Sequence, residues 1–398
     1  MVLSNSFAQG APVDSGSAKD GKVAFPTEIM PTEPSVGDPE NPLTPAERIG
    51  FAVIGLGRLA VNQIIPAFAQ SKKARLVALV SGSPEKAGLL AAQYGVKQAS
   101  VYSYEGLEKI KDNPEIQCVY IVLPNAMHAE YTVRSAAAGK HVLCEKPMAT
   151  SSIEAQRMID ACAKAGRKLM IAYRCQYEVY NRLIIDAVKG KKLGTIGLLE
   201  AANLQNQADD GQWRLKKALA GGGSLPDVGL YCLNGSRAIL NEEPYEVSAY
   251  ISSPSGDPRF REVEDTVSFT LRFPSGAIAN CSSSYGLHET RRFRIYGSDG
   301  SISLENAFAY HGQELTLTRK DQGIESASRQ MLEAKNQFAL ELDHMATCIA
   351  KNLTPHTPGE EGLQDHRIME AIYQSAQSGQ PVKVAPPIGP TRGAEVAS

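Results

Sequence analysis

The chain has 398 residues, 43% of them hydrophobic, which suffices for a substantial core and predicts two domains. Its 41 basic and 43 acidic residues leave a net charge of −2, and no Lys/Arg block stands out, so nothing in the charge recruits nucleic acid or an anionic membrane. Seven scattered cysteines with no C-x-x-C pair, seven scattered histidines with no H-E-x-x-H, and no apolar run near the roughly 18 residues of a membrane helix argue against a disulfide framework, a metal centre and a membrane span.

Residues 1–48 hold seven of the 23 prolines and no periodic apolar pattern. Such a segment buries too little to order itself, so it is expected to be a flexible arm or linker that docks on something. Its start, MVLSNSFAQGA, has no charged n-region or apolar core, although SFA before Gln9 fits a small-x-small cleavage site. The expected compartment is cytoplasmic if Met1 is the true start and periplasmic if a leader has been removed.

From Ile49 the pattern changes. FAVIG is a short apolar strand that runs into GLGRLA, giving Gly55-x-Gly57-x-x-Ala60: strand, glycine turn, helix. Gly55 permits the tight turn, Gly57 lets backbone approach a pyrophosphate, and Ala60 packs helix on strand. With Leu56, Arg58 and Leu59 this loop is the expected dinucleotide cradle, its helix N-terminus facing the phosphates. Pro66 should kink or restart that helix.

Strand RLVALVSG (75–82), a helix from Pro84 to Tyr94, strand CVYIVLP (118–124), a helix from about His128 to Ala138 and strand HVLCE follow in turn. A helix from Ser152, capped by Ser151 with Glu154 three residues on, precedes strand KLMIAY. Buried strands alternating with helices predict a parallel sheet covered on both faces, a Rossmann domain over 49–172. No acidic residue ends the second strand; Ser81, Gly82 and Ser83 stand there, with Lys86 and Arg58 as cations for a 2′-phosphate, so NADP is favoured over NAD. The same residues also suit an ordinary turn.

Ligands of open parallel sheets lie beyond the carboxyl ends of the strands. Pro124, Asn125 and His128 end one strand, and Glu145, Lys146 and Pro147 end the next. Asn125 equally suits a helix cap, His128 a surface position, and the Glu-Lys pair a solvated strand end.

After Tyr173 the pattern becomes antiparallel. VSFTLRF and AIANCSSSY are joined by a PSG turn, RRFRIYG and SISLEN flank Ser298-Asp299-Gly300, and ELTLTR follows. Helices near 329–351 and 360–378 complete an α+β domain over 173–385, with a C-terminal tail from 386. Its open, mainly antiparallel sheet should be covered by a second copy, making a homodimer or higher homo-oligomer. In AGGGSLPDVGLY, Ser224 reads as an N-cap, and Asp227 as either a capping residue or half of a polar pair with Tyr231 four residues on.

These segments, GLGRLA, LPNAMHAE, GKHVLCEKPMAT, YRCQY, QWRL, AGGGSLPDVGLY and NQF, resemble in order the Gfo/Idh/MocA oxidoreductases, nearest the glucose–fructose and aldose–aldose oxidoreductase branch. The resemblance covers about residues 48–385. It implies that Lys146 hydrogen-bonds the reacting oxygen at the nicotinamide, and that Tyr231 replaces the histidine of many members as proton carrier, with Asp227 beside it. It also implies that Tyr104, Arg174, Trp213, Arg214 and Tyr285 line cofactor or substrate, and that the arm covers the adenine of a tightly held NADP(H). Expected substrates are aldoses, one oxidised at C1 to a lactone and another sugar reduced to an alditol in a ping-pong cycle, with longer saccharides left open. An ordinary NADP sugar dehydrogenase, a nicotinamide-assisted glycosidase and a cofactor-sensing regulator are the alternatives. Free Tyr and Lys have pKa values near ~10 and ~10.4, too high for a base at neutral pH, so each needs the other's charge and that of the nicotinamide. Glu145 is expected to hold Lys146 protonated.

Overall fold

The computed structural model describes residues 17–19, 21–24, 47–207, 211–321 and 323–396. A hairpin comes first, β1 (Ser17–Lys19) against β2 (Lys22–Ala24), with Gly21 at φ +74 in its turn. For these few residues the expected arm has local structure: the Asp-Gly dipeptide is a hairpin signal, and Val23 packs against the core of the next domain. The prolines of the arm lie outside the described residues.

The predicted parallel sheet follows. Its strands are β3 (Ile49–Ile54), β4 (Ala74–Val80), β5 (Val101–Tyr102), β6 (Cys118–Ile121), β7 (His141–Glu145) and β8 (Leu169–Ala172). Their order β5-β4-β3-β6-β7-β8, parallel throughout, reverses direction between β3 and β6. Such a reversal opens the crevice where α/β sheets bind ligands. Helices α1 (Ile65–Gln70), α2 (Pro84–Gln93), α3 (Asn125–Ala137) and α4 (Ser152–Lys164) cover the sheet. A π-turn over Ala60–Ile64 precedes α1, and Pro66 sits in the first turn of α1, as a restarting proline should. The helix expected from His128 begins at Asn125 instead, directly after extended Pro124, so Asn125 is its first residue and not its cap.

The second sheet has nine strands: β9 (Ile196–Asn206), β10 (Glu246–Ser252), β11 (Thr266–Arg272), β12 (Ile278–Ser284), β13 (Gly286–Gly297), β14 (Gly300–Glu305), β15 (Glu314–Asp321), β16 (Ile324–Gln330) and β17 (Val382–Lys383). In the order β16-β15-β14-β13-β9-β12-β11-β10-β17 the β9–β12 pair is parallel and the other pairs are antiparallel. Helices α5 (Val179–Lys189), α6 (Lys217–Ala220), α7 (Leu230–Leu240), α8 (Gln337–Ala350) and α9 (Gly359–Ser378) accompany it. The helix expected from 329 starts only at Gln337, because IESASRQ pairs with β15 around Gly323 at φ +84. That segment is exposed almost throughout and has no apolar stripe to hold a helix down.

The boundary at 173 separates the two sheets but not the packing. Phe338, Ala339, Leu342, Met345 and Ala346 of α8 share one core with β3, α1 and β4, while α9 lies against both α4 and β10. Nor is the C-terminal segment loose: Gly393 and Ala394 donate to the carbonyls of His356 and Thr354, and Arg392 reaches Glu361 at 3.2 Å. No helix among the described residues is long and apolar enough to cross a membrane.

Candidate active site

A cleft runs between the two sheets, and the glycine loop forms one wall. Gly55 takes φ +95, and a Cβ there would collide with the Val122 carbonyl, so only glycine allows β3 and β6 to approach this closely. Leu56 is buried beneath the turn, while Gly57, Arg58 and Leu59 line the cleft with Pro124 and Asn125. The Asn125 amide donates to the Ala220 carbonyl at 2.9 Å, tying this wall to the second domain. The loop, its following helix and the small residues at the turn fit a dinucleotide pyrophosphate.

Lys146 projects from the end of β7, beside a cis Lys146–Pro147 peptide. Its ammonium donates to the Asp227 carbonyl at 2.8 Å and to Asp227 Oδ1 at 2.9 Å. Asp227 Oδ2 accepts from Arg214 Nε at 3.0 Å and from the Tyr285 hydroxyl at 2.7 Å. Burial opposes the charge on Asp227, but the Lys146 and Arg214 cations prevail and hold its carboxyl well below the usual range. Lys146 itself stays above its ordinary value, because Asp227 and Tyr231 outweigh desolvation. The Glu145 charge adds to this, as expected, but from a distance: its side chain accepts from Tyr120 and from the Lys146 amide N–H, and Asp227 is the direct partner of the ammonium.

Tyr231 stands beside this ion pair. Its ring centroid lies 4.5 Å from Lys146 Nζ and 4.8 Å from the Arg174 guanidinium. Burial raises the phenol above its ordinary value although both cations pull it down. Arg174 is fixed by Gln337 Oε1 and the Phe308 carbonyl, each at 2.6 Å. Trp213 lines the cleft with the Arg214 guanidinium 4.6 Å from its ring centroid.

The predicted cap at Ser224 is absent: its backbone is already helical and its hydroxyl meets Ser283 Oγ at 3.0 Å. The triple glycine is needed for contact, since a Cβ on Gly223 would strike the Glu264 carbonyl. Ser81, Gly82, Ser83, Lys86 and Tyr104 gather at the tip of β4, away from Lys146. There Ser83 caps α2 and Gly82 sits against the Tyr104 ring. His128 is fully buried, its ring nitrogens each 2.8 Å from the carbonyls of Leu123 and Pro147, so it braces two strand ends and does not line the cleft.

Sequence reasoning missed the opposite wall. Asn203, Gln205 and Gln207 alternate along and just beyond β9, all facing the cleft, with Arg291 on neighbouring β13. The alternation is visible in ANLQNQ, but amides at the alternating positions give no apolar strand signal. Among the described residues no group of three His, Cys, Asp or Glu side chains could hold a metal ion.

Comparison with known proteins adds the family. Residues 49–173 match the model described as oxidoreductase family, NAD-binding Rossmann fold, and residues 185–384 its C-terminal alpha/beta domain. The chain belongs to the Gfo/Idh/MocA oxidoreductase family. This family member is 43% identical to the aldose-aldose oxidoreductase from Caulobacter crescentus, whose glycerol complex covers 85% of this chain and 100% of its own at a TM-score of 0.81. It is 30% identical over 342 residues to the NADP(+) D-xylose 1-dehydrogenase of Haloarcula marismortui, spanning 84% of this chain and 93% of the relative. The 1,5-anhydro-D-fructose reductase of Ensifer adhaerens shares 27% over 338 residues, 84% of this chain and 98% of that one.

Proposed function

We propose that the chain is an NADP-dependent aldose oxidoreductase that retains its cofactor and moves hydride from one sugar to another. The observation that carries this reading is the set formed by Lys146, Asp227 and Tyr231 at the end of β7, facing the glycine loop. When bound, the nicotinamide accepts a hydride from carbon and later returns it. The chain supplies the rest. Two of the three Lys146 N–H groups engage Asp227, leaving one to bind a sugar hydroxyl or carbonyl oxygen. Asp227, saturated by cations and a phenol, acts as the fixed counter-charge and not as the base.

Tyr231 is the proton carrier. As hydride leaves C1 of an aldose, the proton of its C1 hydroxyl passes to Tyr231, which would serve as the phenolate once Lys146, Arg174 and the charge of the oxidised nicotinamide together offset burial. A lactone leaves, a second sugar enters, and the same proton goes to its carbonyl oxygen as the hydride returns. The amides of Asn203, Gln205 and Gln207, with Trp213, suit recognition of sugar hydroxyls and an apolar sugar face.

Ser81, Ser83, Lys86 and Arg58 favour NADP over NAD, and two relatives, the aldose-aldose oxidoreductase and the NADP(+) xylose dehydrogenase, support a sugar substrate. The xylose dehydrogenase also favours a second reading, an enzyme that releases NADPH each turn. Gel-filtered protein incubated with an aldose mixture and no added cofactor decides between them. Lactone and alditol should form together. Inactivity until NADP is added, with free NADPH then accumulating, would establish the ordinary dehydrogenase.

A further inference from the structure

Beneath the cleft lies a set of groups that the proposed chemistry does not use. The Tyr120 hydroxyl, on β6, is 2.8 Å from Glu145 Oε1 and 3.2 Å from Glu341 Oε2 on α8. Tyr120 and Glu341 are wholly buried and Glu145 is 7% exposed. A phenol has one proton to donate, so it cannot satisfy two ionised carboxylates at once. One of the two must carry a proton and donate it to the phenol oxygen.

The surroundings decide which. Burial raises the Glu145 carboxyl too, but less than that of Glu341, for it has the Lys146 amide N–H on its second oxygen at 3.3 Å and the charges of Lys146 and Arg174 nearby. Among the described residues Glu341 Oε1 has no hydrogen-bond partner, an arrangement tolerable for an acid's carbonyl oxygen and costly for a buried carboxylate oxygen. Its titratable and charged neighbours are Glu145 from β7, Tyr120 from β6, and Arg174, Cys175 and Tyr177 from the turn after β8. Burial and the Glu145 charge both push the Glu341 carboxyl far above its ordinary range, against Arg174 and Tyr120.

We propose that Glu341 is a standing carboxylic acid that donates to Tyr120, turning the phenol's own proton onto Glu145 and keeping Glu145 ionised beside Lys146. Tyr120 and Glu341 are positioning residues that act through Glu145. Their distance in sequence from the glycine loop and from the E-K-P turn hides the set from motif reading. The effect falls on the floor of the nicotinamide pocket, where an ionised Glu145 opposes the loss of charge from Lys146. This second part rests on the cleft being the hydride-transfer site proposed above; the protonation state of Glu341 does not.

The two parts are tested separately. Infrared spectroscopy of the full chain should show a protonated-carboxyl carbonyl band at neutral pH that is missing in Glu341→Gln. No loss of that band overturns the proposal whatever the enzyme's substrate. For the functional part, the pH profile of sugar turnover is compared in wild type, Glu341→Gln and Tyr120→Phe. The amide in Glu341→Gln is neutral and still donates to the phenol, so its profile should match wild type. Tyr120→Phe removes the donor that lowers the Glu145 carboxyl, so the acid limb should move up by about one to two pH units, the worth of one hydrogen bond to a buried charge. A shift in Glu341→Gln equal to that in Tyr120→Phe, or no shift in either, overturns it. Circular dichroism and retained nucleotide confirm that each variant has folded.

Discussion

At Lys146 three requirements meet in one side chain. It follows a parallel strand, it crosses the cleft to Asp227, and it lies against the ring of Tyr231, the proposed proton carrier. Lys146→Ala removes all three and should lower sugar turnover by roughly 10²–10⁴ while the fold and bound nucleotide persist. Tyr231→Phe is the sharper experiment, because the ring and its two cations remain and only the hydroxyl is lost. Its kcat should fall by a similar factor with KM changed little, measured by steady-state kinetics on one aldose. A near wild-type kcat in Tyr231→Phe would move the proton to Lys146.

At the level of elements, the helices behind the site are joined by a buried ionic cluster. Arg237 of α7, fully buried, bonds Glu243, Glu361 and Asp365, the last two on α9. Glu361 has Arg392 as a second cation, whereas Asp365 shares Arg237 and is pushed up to about 6, mainly by burial. An unfolded Asp titrates near ~3.9, so between roughly pH 4 and 6 the native state binds more protons here than the unfolded one. The contribution of this site to stability is therefore present at the acid end of that window and declines as pH rises through it. Asp365→Asn should remove the decline, so the urea midpoint of the variant should gain on wild type between pH 4.5 and 7. A constant offset across that range would refute the assignment.

The same helices show what a sequence can carry. The glycine loop, the parallel strands and the E-K-P turn are local patterns, and all were legible. Asp227 could be read as a cap or as a site residue, because nothing local says that Lys146 and Arg214 converge on it from two other elements. Tyr120, Glu341 and Arg237 look like ordinary strand and helix residues until the fold brings their partners from elsewhere in the chain. The start of the helix expected near 329 is displaced to Gln337 because residues 324–330 favour neither state strongly, and pairing with β15 decides for a strand.

In the whole molecule the N-terminal hairpin touches α2, whose first turn is capped by Ser83 at the tip of β4, where the adenosine end of the cofactor is expected. Deleting residues 1–46 should loosen that corner and speed NADPH dissociation by about tenfold, the worth of one partly buried aliphatic side chain. Stopped-flow nicotinamide fluorescence reads the rate directly. An unchanged rate would mean that the arm serves another purpose than retention.

The path of α8 bears on how such a protein can change. That helix belongs by position to the second half of the chain, yet its Phe338, Leu342 and Met345 fill the core of the first, and its Gln337 and Glu341 hold Arg174 and Tyr120. A recombination event that joined a foreign substrate half after Tyr173 would strip β3 and α1 of their cover unless it brought a matching helix with it. Exchange of whole modules is therefore restricted to halves whose own counterpart of α8 fits this core. Point substitution on the intact frame avoids that demand, and the alternating amide positions along and just beyond β9, which line the cleft without touching α8's core, are a place where specificity could shift.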